Sequence, residues 1–131
     1  MKTVKQLSLF LENKPGTLAA LCKAFAQAKI NIQAISISDA VDHAVVRMVV
    51  SNPQKALHLL GERGVLVVER DVLALEGRNR PGELAHIAQM LSDHRVNIEY
   101  AYTANAPSNK RGAMILRVDN PKKAQRILRA Y

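Results

Sequence analysis

Apolar residues near the start of the chain recur at every second position. The segment 7–11, Leu-Ser-Leu-Phe-Leu, places three leucines on one face of an extended chain, which predicts a half-buried strand. Over 18–25 the apolar residues return instead at the three- and four-residue spacing of one helical face. Extended patterns follow over 30–38 and 44–50. The pattern therefore predicts a strand, a helix and two further strands.

A second helix is predicted after the third strand. Asn52 offers an N-cap side chain, and Pro53 suits the first helical position, where a missing N–H costs nothing. Gly64 is the predicted C-cap of this helix. The apolar run 65–68 predicts a fourth strand. The resulting order, β-α-β-β-α-β, predicts a ferredoxin-like α+β unit whose antiparallel sheet is covered on one face by two helices.

The first half of this pattern occurs twice. Asn-Lys-Pro-Gly-Thr-Leu-Ala at 13–19 recurs 66 positions later as Asn-Arg-Pro-Gly-Glu-Leu-Ala. Seven of the 23 positions over 13–35 are identical in 79–101. Pro15 and Pro81 are expected at the first position of a helix in their respective copies.

The second half repeats as well. Residues 45–60 match 113–128 at an offset of 68, and the two extra residues fall in 104–112, whose Asn, Pro and Gly content predicts a loop. We therefore expect two tandem ferredoxin-like domains, 1–70 and 71–131.

The second copy is shorter than the first. It reaches Tyr131 directly after its second helix and has no counterpart of the strand predicted at 65–68. Its first strand, around Leu73 and Leu75, would then be an open sheet edge, which proteins usually cover. The segment 65–68 and a partner chain are both candidates for that place. The packing of the two sheets is equally open.

Composition narrows the class of protein. The 131 residues are 48% hydrophobic but only 4% aromatic, without Trp, so a core of Leu, Ile, Val and Ala is expected. A single cysteine excludes an intramolecular disulfide, and no apolar run approaches the roughly 20 residues of a membrane span. We therefore expect a cytoplasmic protein that does not associate with a membrane.

Catalytic and metal-binding patterns do not emerge from the sequence. Cys22 lies on the apolar helical face and is expected to be an inert buried thiol, while Asp39 and Asp42 flank a predicted hairpin turn. We expect no enzyme activity, no metal and no cofactor. The four histidines lack metal-ligand spacing: His43, His58, His86 and His94.

The duplicated motif resembles the ACT domain, a small regulatory fold that binds amino acids and accompanies enzymes of amino-acid metabolism. A short strand, then Asn-(Lys/Arg)-Pro-Gly-x-Leu, then Asn-Ile 18 residues after the first Asn carries the resemblance in both copies. In the serine-binding ACT domains of phosphoglycerate dehydrogenase, the two Asn positions contact the ligand. A contacting His two residues before the first Asn is replaced here by Leu11 and Gly77, so the identity of the amino acid stays open. By resemblance the ligand-binding residues are Asn13, Lys14, Gly16, Asn31 and Ile32, with Asn79, Arg80, Gly82, Asn97 and Ile98 in the second copy.

General chemistry is compatible with such a site and with simpler roles. Gly16 and Gly82 are expected in the first helical turn, where N–H groups lack acceptors and an anion is favoured. An Asn amide offers both donors and an acceptor. The simpler interpretation makes Asn13 and Asn79 helix caps, Asn31 and Asn97 turn residues, and the glycines packing residues.

The sequence thus predicts a sensor or regulatory module that binds a free amino acid where ACT units meet. A homodimer and an associated enzyme of amino-acid metabolism are expected partners. A docking or dimerising module is one alternative. An RNA-binding module is another, because residues 110–131 hold seven basic and one acidic residue, +6 of the net +8. The third strand of the second copy lacks the aromatics on which bases stack, so nucleic acid is not the expected partner.

Overall fold

The structure, a computed structural model, describes residues 1–39 and 43–131. The chain divides into two compact units: an N-terminal unit of residues 5–70, and a C-terminal unit of residues 71–131 together with residues 1–4. The described elements are β1 Lys2–Glu12, α1 Thr17–Gln27, β2 Ile32–Asp39, β3 His43–Val50, α2 Pro53–Glu62, β4 Leu66–Arg78, α3 Glu83–Asp93, β5 Ile98–Ala104, β6 Arg111–Val118 and α4 Pro121–Ile127.

The N-terminal unit has the predicted ferredoxin-like arrangement. Strand β3 lies between β2 and β1, with both pairings antiparallel, and the part of β4 in this unit completes the order β2-β3-β1-β4. Its core is aliphatic with one aromatic ring, as in the fully buried Leu9, Phe25 and Leu60. Each such side chain contributes about 1.5–3 kcal/mol relative to an exposed one. The hairpin turn predicted between Asp39 and Asp42 includes residues 40–42, which lie outside the described residues.

The C-terminal unit repeats this architecture around its own core. Strand β6 lies between β4 and β5, again with antiparallel pairings. The core includes Leu73, Ile87, Leu116 and Leu128, all fully buried. The fold is α+β, as the alternating and helical patterns predict.

The fourth strand of the C-terminal unit comes from the beginning of the chain. Residues 1–4 belong to this unit, and Met1 packs against its core. Val65 and Val67 pack instead against the core of the N-terminal unit, so 65–68 does not fill the open place. The strands predicted at 65–68 and around Leu73 are one continuous 13-residue strand, β4.

The first helix of each unit begins later than predicted. Pro15 and Pro81 precede the helices by two residues, because Gly16 and Gly82 are the N-caps of α1 and α3. Both glycines adopt left-handed conformations, with φ of +90° and +92°. The expectation that the prolines open the helix and the glycines lie within its first turn was therefore wrong.

The second helix of each unit begins as predicted. The side chain of Asn52 accepts a hydrogen bond from the backbone N–H of Lys55 at 3.1 Å, and Asn120 repeats this contact with Lys123 at 3.1 Å. A proline occupies the first turn of both helices. These caps satisfy N–H groups that the helix itself cannot pair.

The ends of α1 and α3 explain why the following strands start two residues later than predicted. Lys29 and Arg95 adopt left-handed conformations with φ of 59° and 58°. The next N–H then turns back to the helix, from Ile30 to the carbonyl of Phe25 and from Val96 to that of Leu91, each at 2.9 Å. Residues at 30 and 96 therefore close a helix rather than open a strand.

One prediction about the inner face of α1 was also wrong. The helix buries Leu21, Ala24 and Phe25, whereas Cys22 is only half-buried. Cys22 therefore lies at the edge of the buried face. Among the described helices, none is long and apolar enough to cross a bilayer.

Candidate functional site

The two glycine turns are open to solvent. Nothing lies within 4 Å of the position that a Cβ would take at Gly16 or Gly82, although a side chain there would be strained by the positive φ. No side chain hydrogen-bonds to the cap of α1 or α3. The N–H of Thr17 donates to the Lys14 carbonyl and that of Glu83 to the Arg80 carbonyl, both at a long 3.4 Å, and the first turn of each helix carries the positive end of the helix dipole.

In the N-terminal unit, the turn is held by exposed polar side chains. The Asn13 amide donates a hydrogen bond to the carboxylate of Asp39 at the end of β2. The Lys14 ammonium lies 2.9 Å from the Glu12 carboxylate, and this contact lowers the pKa of Glu12 and raises the pKa of Lys14. Both side chains are about two-thirds exposed, so their pairing adds little stability.

In the C-terminal unit, Asn79 holds the loop at 104–112. Its Nδ2 group donates to the carbonyls of Ala106, at 3.0 Å, and Asn109, at 2.8 Å. Two carbonyl acceptors fix the orientation of the amide, since only the NH₂ group can donate to them. Asn79 does not cap α3, nor does Asn13 cap α1, so the capping interpretation was wrong for both.

A buried carboxylate that the sequence did not single out lies beside this turn. Glu83, the first residue of α3, is only 4% exposed. Its Oε2 accepts from the backbone N–H of Arg78 and from Nε of Arg80, both at 3.2 Å, and its Oε1 accepts from the Tyr131 hydroxyl at 2.9 Å. A Cβ at Gly77 would approach its Cγ to 3.0 Å, which accounts for the glycine there.

The hydrogen bonds around Glu83 shift two pKa values in opposite directions. The Tyr131 hydroxyl, with help from the Arg78 N–H and the Arg80 charge, lowers the pKa of Glu83 despite burial. Burial and the neighbouring carboxylate raise the pKa of Tyr131. Thr17 occupies the equivalent position in the first copy. This difference between the two copies was the only feature of the sequence that pointed to Glu83.

The asparagines that precede β2 and β5 are held through their backbones. The Asn31 N–H donates to the Ser51 hydroxyl at 2.9 Å, and the Asn97 N–H donates to the Asp119 carboxylate at 3.0 Å. The carbonyls of Asn31 and Asn97 accept from the N–H groups of the same partners. Both side chains therefore stay at the surface. Asn97 and Ile98 also line a cavity of about 410 Å³ with Arg95.

The two halves of the expected site do not meet within either unit. Gly16 and Gly82 precede α1 and α3, whereas Asn31 and Asn97 follow these helices. Each helix has 11 residues, which corresponds to a length of about 16 Å. The structure thus places Asn13, Lys14 and Gly16 together at one end of α1, with Asn31 and Ile32 at the other. The second copy repeats this separation.

The duplicated turns and the βαββαβ units can now be compared with known proteins. A family model described as an ACT domain pair matches residues 2–130. The chain belongs to this family. A search of curated proteins gives no match.

Solved structures of other proteins resemble nearly the whole chain. A protein from Bacteroides thetaiotaomicron is 34% identical, over 98% of this chain and 88% of that chain, with a TM-score of 0.91. The regulatory subunit of aspartate kinase from Thermus thermophilus is 20% identical, over 99% and 97% of the two chains, with a TM-score of 0.70. The corresponding subunit from Thermus flavus is also 20% identical, over 99% and 94%, with a TM-score of 0.63.

Arginines of the C-terminal ACT unit engage neighbours within that unit. Arg117 donates from Nε to the Glu99 carboxylate at 3.1 Å and from a terminal nitrogen to the carbonyl of Asp71 at 2.8 Å. Arg111 pairs with Glu76 at 3.5 Å. These two arginines on β6 are therefore partly neutralised, which weakens the argument for a nucleic-acid surface on this strand.

Proposed function

We propose that this ACT pair is a regulatory module that binds a free amino acid at its glycine turns. The observation that carries the proposal is the pair of open left-handed glycine turns, each at the start of a helix without a side-chain cap. The carboxylate of an amino acid would accept hydrogen bonds from N–H groups in the first turn of α1 or α3, in competition with the long contacts to the Lys14 and Arg80 carbonyls, and would interact favourably with the helix dipole.

The asparagines supply the complementary polar groups. Asn79 uses its NH₂ group on two loop carbonyls, which leaves Oδ1 as an acceptor for a ligand ammonium. Asn13 uses its NH₂ group on Asp39, and Lys14 adds a positive charge beside the ligand carboxylate. Arg80 takes the corresponding place in the C-terminal unit.

The turn of the N-terminal unit is the stronger site in this proposal. Helix α1 has no acidic residue in its first turn, whereas α3 begins with Glu83. The Glu83 carboxylate already compensates the positive end of α3 and accepts from the Arg80 guanidinium. A ligand carboxylate at Gly82 would therefore meet a buried like charge, whereas the carboxylates near Gly16 are exposed and paired, Glu12 with Lys14 and Asp39 with Asn13.

In this proposal, the residues at the starts of β2 and β5 contact the end of the ligand that faces away from the glycine turn. Asn31 and Ile32, like Asn97 and Ile98, are separated from the turn of their own unit by the length of a helix. We therefore place them on a ligand held by a second copy of the chain, in a homodimer. Ligand binding would then favour one assembly over another and so regulate an associated enzyme of amino-acid metabolism. Two structural neighbours are regulatory subunits of aspartate kinase.

A thermal-shift screen with each of the twenty amino acids at millimolar concentration tests the proposal. Because a free amino acid has few heavy atoms, an affinity on the order of micromolar to millimolar is expected. At least one amino acid should raise the melting temperature of the wild type. For an amino acid that binds only at the glycine turns, Asn13→Ala should remove most of that shift, and Asn13→Ala/Asn79→Ala should remove all of it.

The screen needs a control for general destabilisation. Asn52→Ala removes a helix cap of comparable chemistry away from both glycine turns and should leave the ligand shift intact. An unchanged shift in the Asn13→Ala/Asn79→Ala double variant would refute the site. No shift with any amino acid would refute the function. Light scattering with and without the responding amino acid measures the assembly.

A further inference from the structure

We propose that the C-terminal unit contains a second amino-acid site, specific for an aliphatic side chain, in a cavity lined by residues of the paired strands β4 and β6. The inference rests on the proposed function only for its ligand class, a free amino acid. It uses none of the asparagine or glycine residues of the turns. Its basis is a mainly apolar cavity that is also lined by one acidic side chain, Glu76, and two basic ones, Lys2 and Arg111.

The cavity lies within the C-terminal unit and measures about 390 Å³. Small-molecule sites range from about 300 to 1,000 Å³, so this volume suits a single amino acid. Ala74 pairs with Ile115 across the two strands, and Met114 follows on the core side. Together with Ala113 these residues form the apolar part of the lining, which Lys2 and Tyr131 complete on the polar side.

The border of the cavity carries the charges that a free amino acid requires. Glu76 and Arg111 both line it, and the Arg111 guanidinium lies 3.5 Å from the Glu76 carboxylate. Arg111 also donates a hydrogen bond to the Glu76 carbonyl at 3.2 Å. The side chains of Glu76 and Arg111 are 70% and 57% exposed, so their long ion pair contributes little to stability and can open at little cost while that hydrogen bond holds the guanidinium beside the cavity. Arg111 can then donate hydrogen bonds to the ligand carboxylate, and Glu76 can accept them from the ligand ammonium group.

The N-terminal unit provides an internal comparison at the same register. Glu76 lies opposite Ala113 in the C-terminal unit, and their counterparts Phe10 and Val45 lie opposite each other in the N-terminal unit. There, an aromatic ring and a β-branched side chain occupy the places of the carboxylate and the small alanine. The combination of space and paired charges is therefore specific to the C-terminal unit.

The size and polarity of the lining select the ligand. The side chain of valine, leucine or isoleucine would contact Ala74, Ala113 and Ile115 and remove apolar surface from water. A polar or charged side chain placed against Ala74, Ala113 and Ile115 would lose its hydration without gaining a hydrogen-bond partner from these three residues. L-Leucine is thus a suitable probe, with L-serine as its polar counterpart.

Isothermal titration calorimetry with L-leucine tests the site. Wild type should bind L-leucine more tightly than L-serine at this site. Arg111→Gln and Glu76→Gln remove one charge each and should weaken L-leucine binding about tenfold or more, since each loses a charge-assisted hydrogen bond. Ala113→Leu should abolish binding by filling the cavity. Because Ala113 is exposed, this variant should still fold.

Matched controls separate this site from the glycine turns. Lys122→Gln removes an exposed charge on α4, and Ala19→Leu adds exposed apolar surface on α1, so both should bind L-leucine like the wild type. Binding that persists in Asn13→Ala/Asn79→Ala but not in Arg111→Gln supports the second site. Undiminished binding in Arg111→Gln and Ala113→Leu overturns it. So does a wild type that responds to other amino acids but not to L-leucine, while the proposed function stands. No response to any amino acid overturns both.

Discussion

The Tyr131 hydroxyl donates a hydrogen bond to Oε1 of Glu83 at 2.9 Å, across 48 positions of sequence. The contact joins Tyr131, four residues beyond the end of α4, to the first residue of α3. Because Glu83 also accepts from the Arg78 N–H, the same carboxylate holds the chain just before the second glycine turn. The conformation of that turn is therefore coupled to the position of Tyr131.

Removing this hydroxyl should destabilise the protein. Tyr131→Phe leaves the buried carboxylate of Glu83 with one hydrogen bond fewer, which lowers the midpoint of urea unfolding. Glu83→Gln should also lower it. In the double variant the two losses should be less than additive, because each single change already breaks the shared contact. Strict additivity would show that the hydrogen bond contributes nothing.

The stability should depend on pH through Glu83. Its pKa is lowered in the folded state, so the unfolded chain binds the proton more readily in acid. The stabilisation is present above about pH 4.3, the ordinary carboxyl pKa, and is lost as the pH falls through the lower folded value. Unfolding curves between pH 2 and 7 should show a weaker pH dependence in Glu83→Gln than in the wild type. Equal dependence would contradict this role.

The glycine turns should resist substitution. Gly16→Ala and Gly82→Ala force a side chain into the left-handed region and should each cost about 1–2 kcal/mol of unfolding free energy, measured by urea denaturation. Gly61→Ala is the matched control, since Gly61 lies in α2 with nothing within 4 Å of the added Cβ. It should stabilise by about 0.5–1 kcal/mol. If Gly61→Ala lowered the free energy of unfolding as much as Gly16→Ala, the explanation from backbone conformation would be refuted.

The helix caps should contribute equally in the two units. Asn52→Ala and Asn120→Ala each remove one side-chain cap and should lower the free energy of unfolding by about 1 kcal/mol. Asn52→Asp and Asn120→Asp, which keep an acceptor oxygen, serve as controls and should stay near the wild-type value. Hydrogen exchange at Lys55 and Lys123 should report the lost contacts directly. Unchanged protection of those amides in the alanine variants would exclude the caps.

Replacing Lys29 and Arg95, whose backbones adopt left-handed conformations, should raise the stability of the protein. Lys29→Gly and Arg95→Gly relieve a conformation that costs about 1–2 kcal/mol, offset by the greater entropy of unfolded glycine. The net gain in unfolding free energy should reach about 1 kcal/mol at most. Lys23→Gly, an equivalent exchange within α1, should instead destabilise by about 1 kcal/mol. The melting temperatures of the three variants test this expectation. A lower melting temperature for Lys29→Gly than for the wild type would show that the conformation of Lys29 is not strained.

Local patterns were sufficient for most of the architecture. The alternation around Leu9, the helical spacing over 18–25 and the Asn-Pro caps predicted the elements, because each depends on neighbours a few residues away. The matched spacing of the two Asn-x-Pro-Gly motifs predicted the duplication and the ACT family. The helix starts at Gly16 and Gly82 were misplaced, since Pro-Gly before a helix is compatible with more than one turn geometry.

The sequence alone determined the element types, the duplicated unit and the residues of the glycine turns, because these are encoded by local periodicity and turn chemistry. Only the tertiary structure decided which segment supplies the fourth strand of the C-terminal unit. That segment is residues 1–4. The tertiary structure also revealed the buried Glu83 with its partner Tyr131, and the cavity beside Arg111. These features depend on residues far apart in sequence, whose pairing follows from packing and from the need to satisfy buried polar groups.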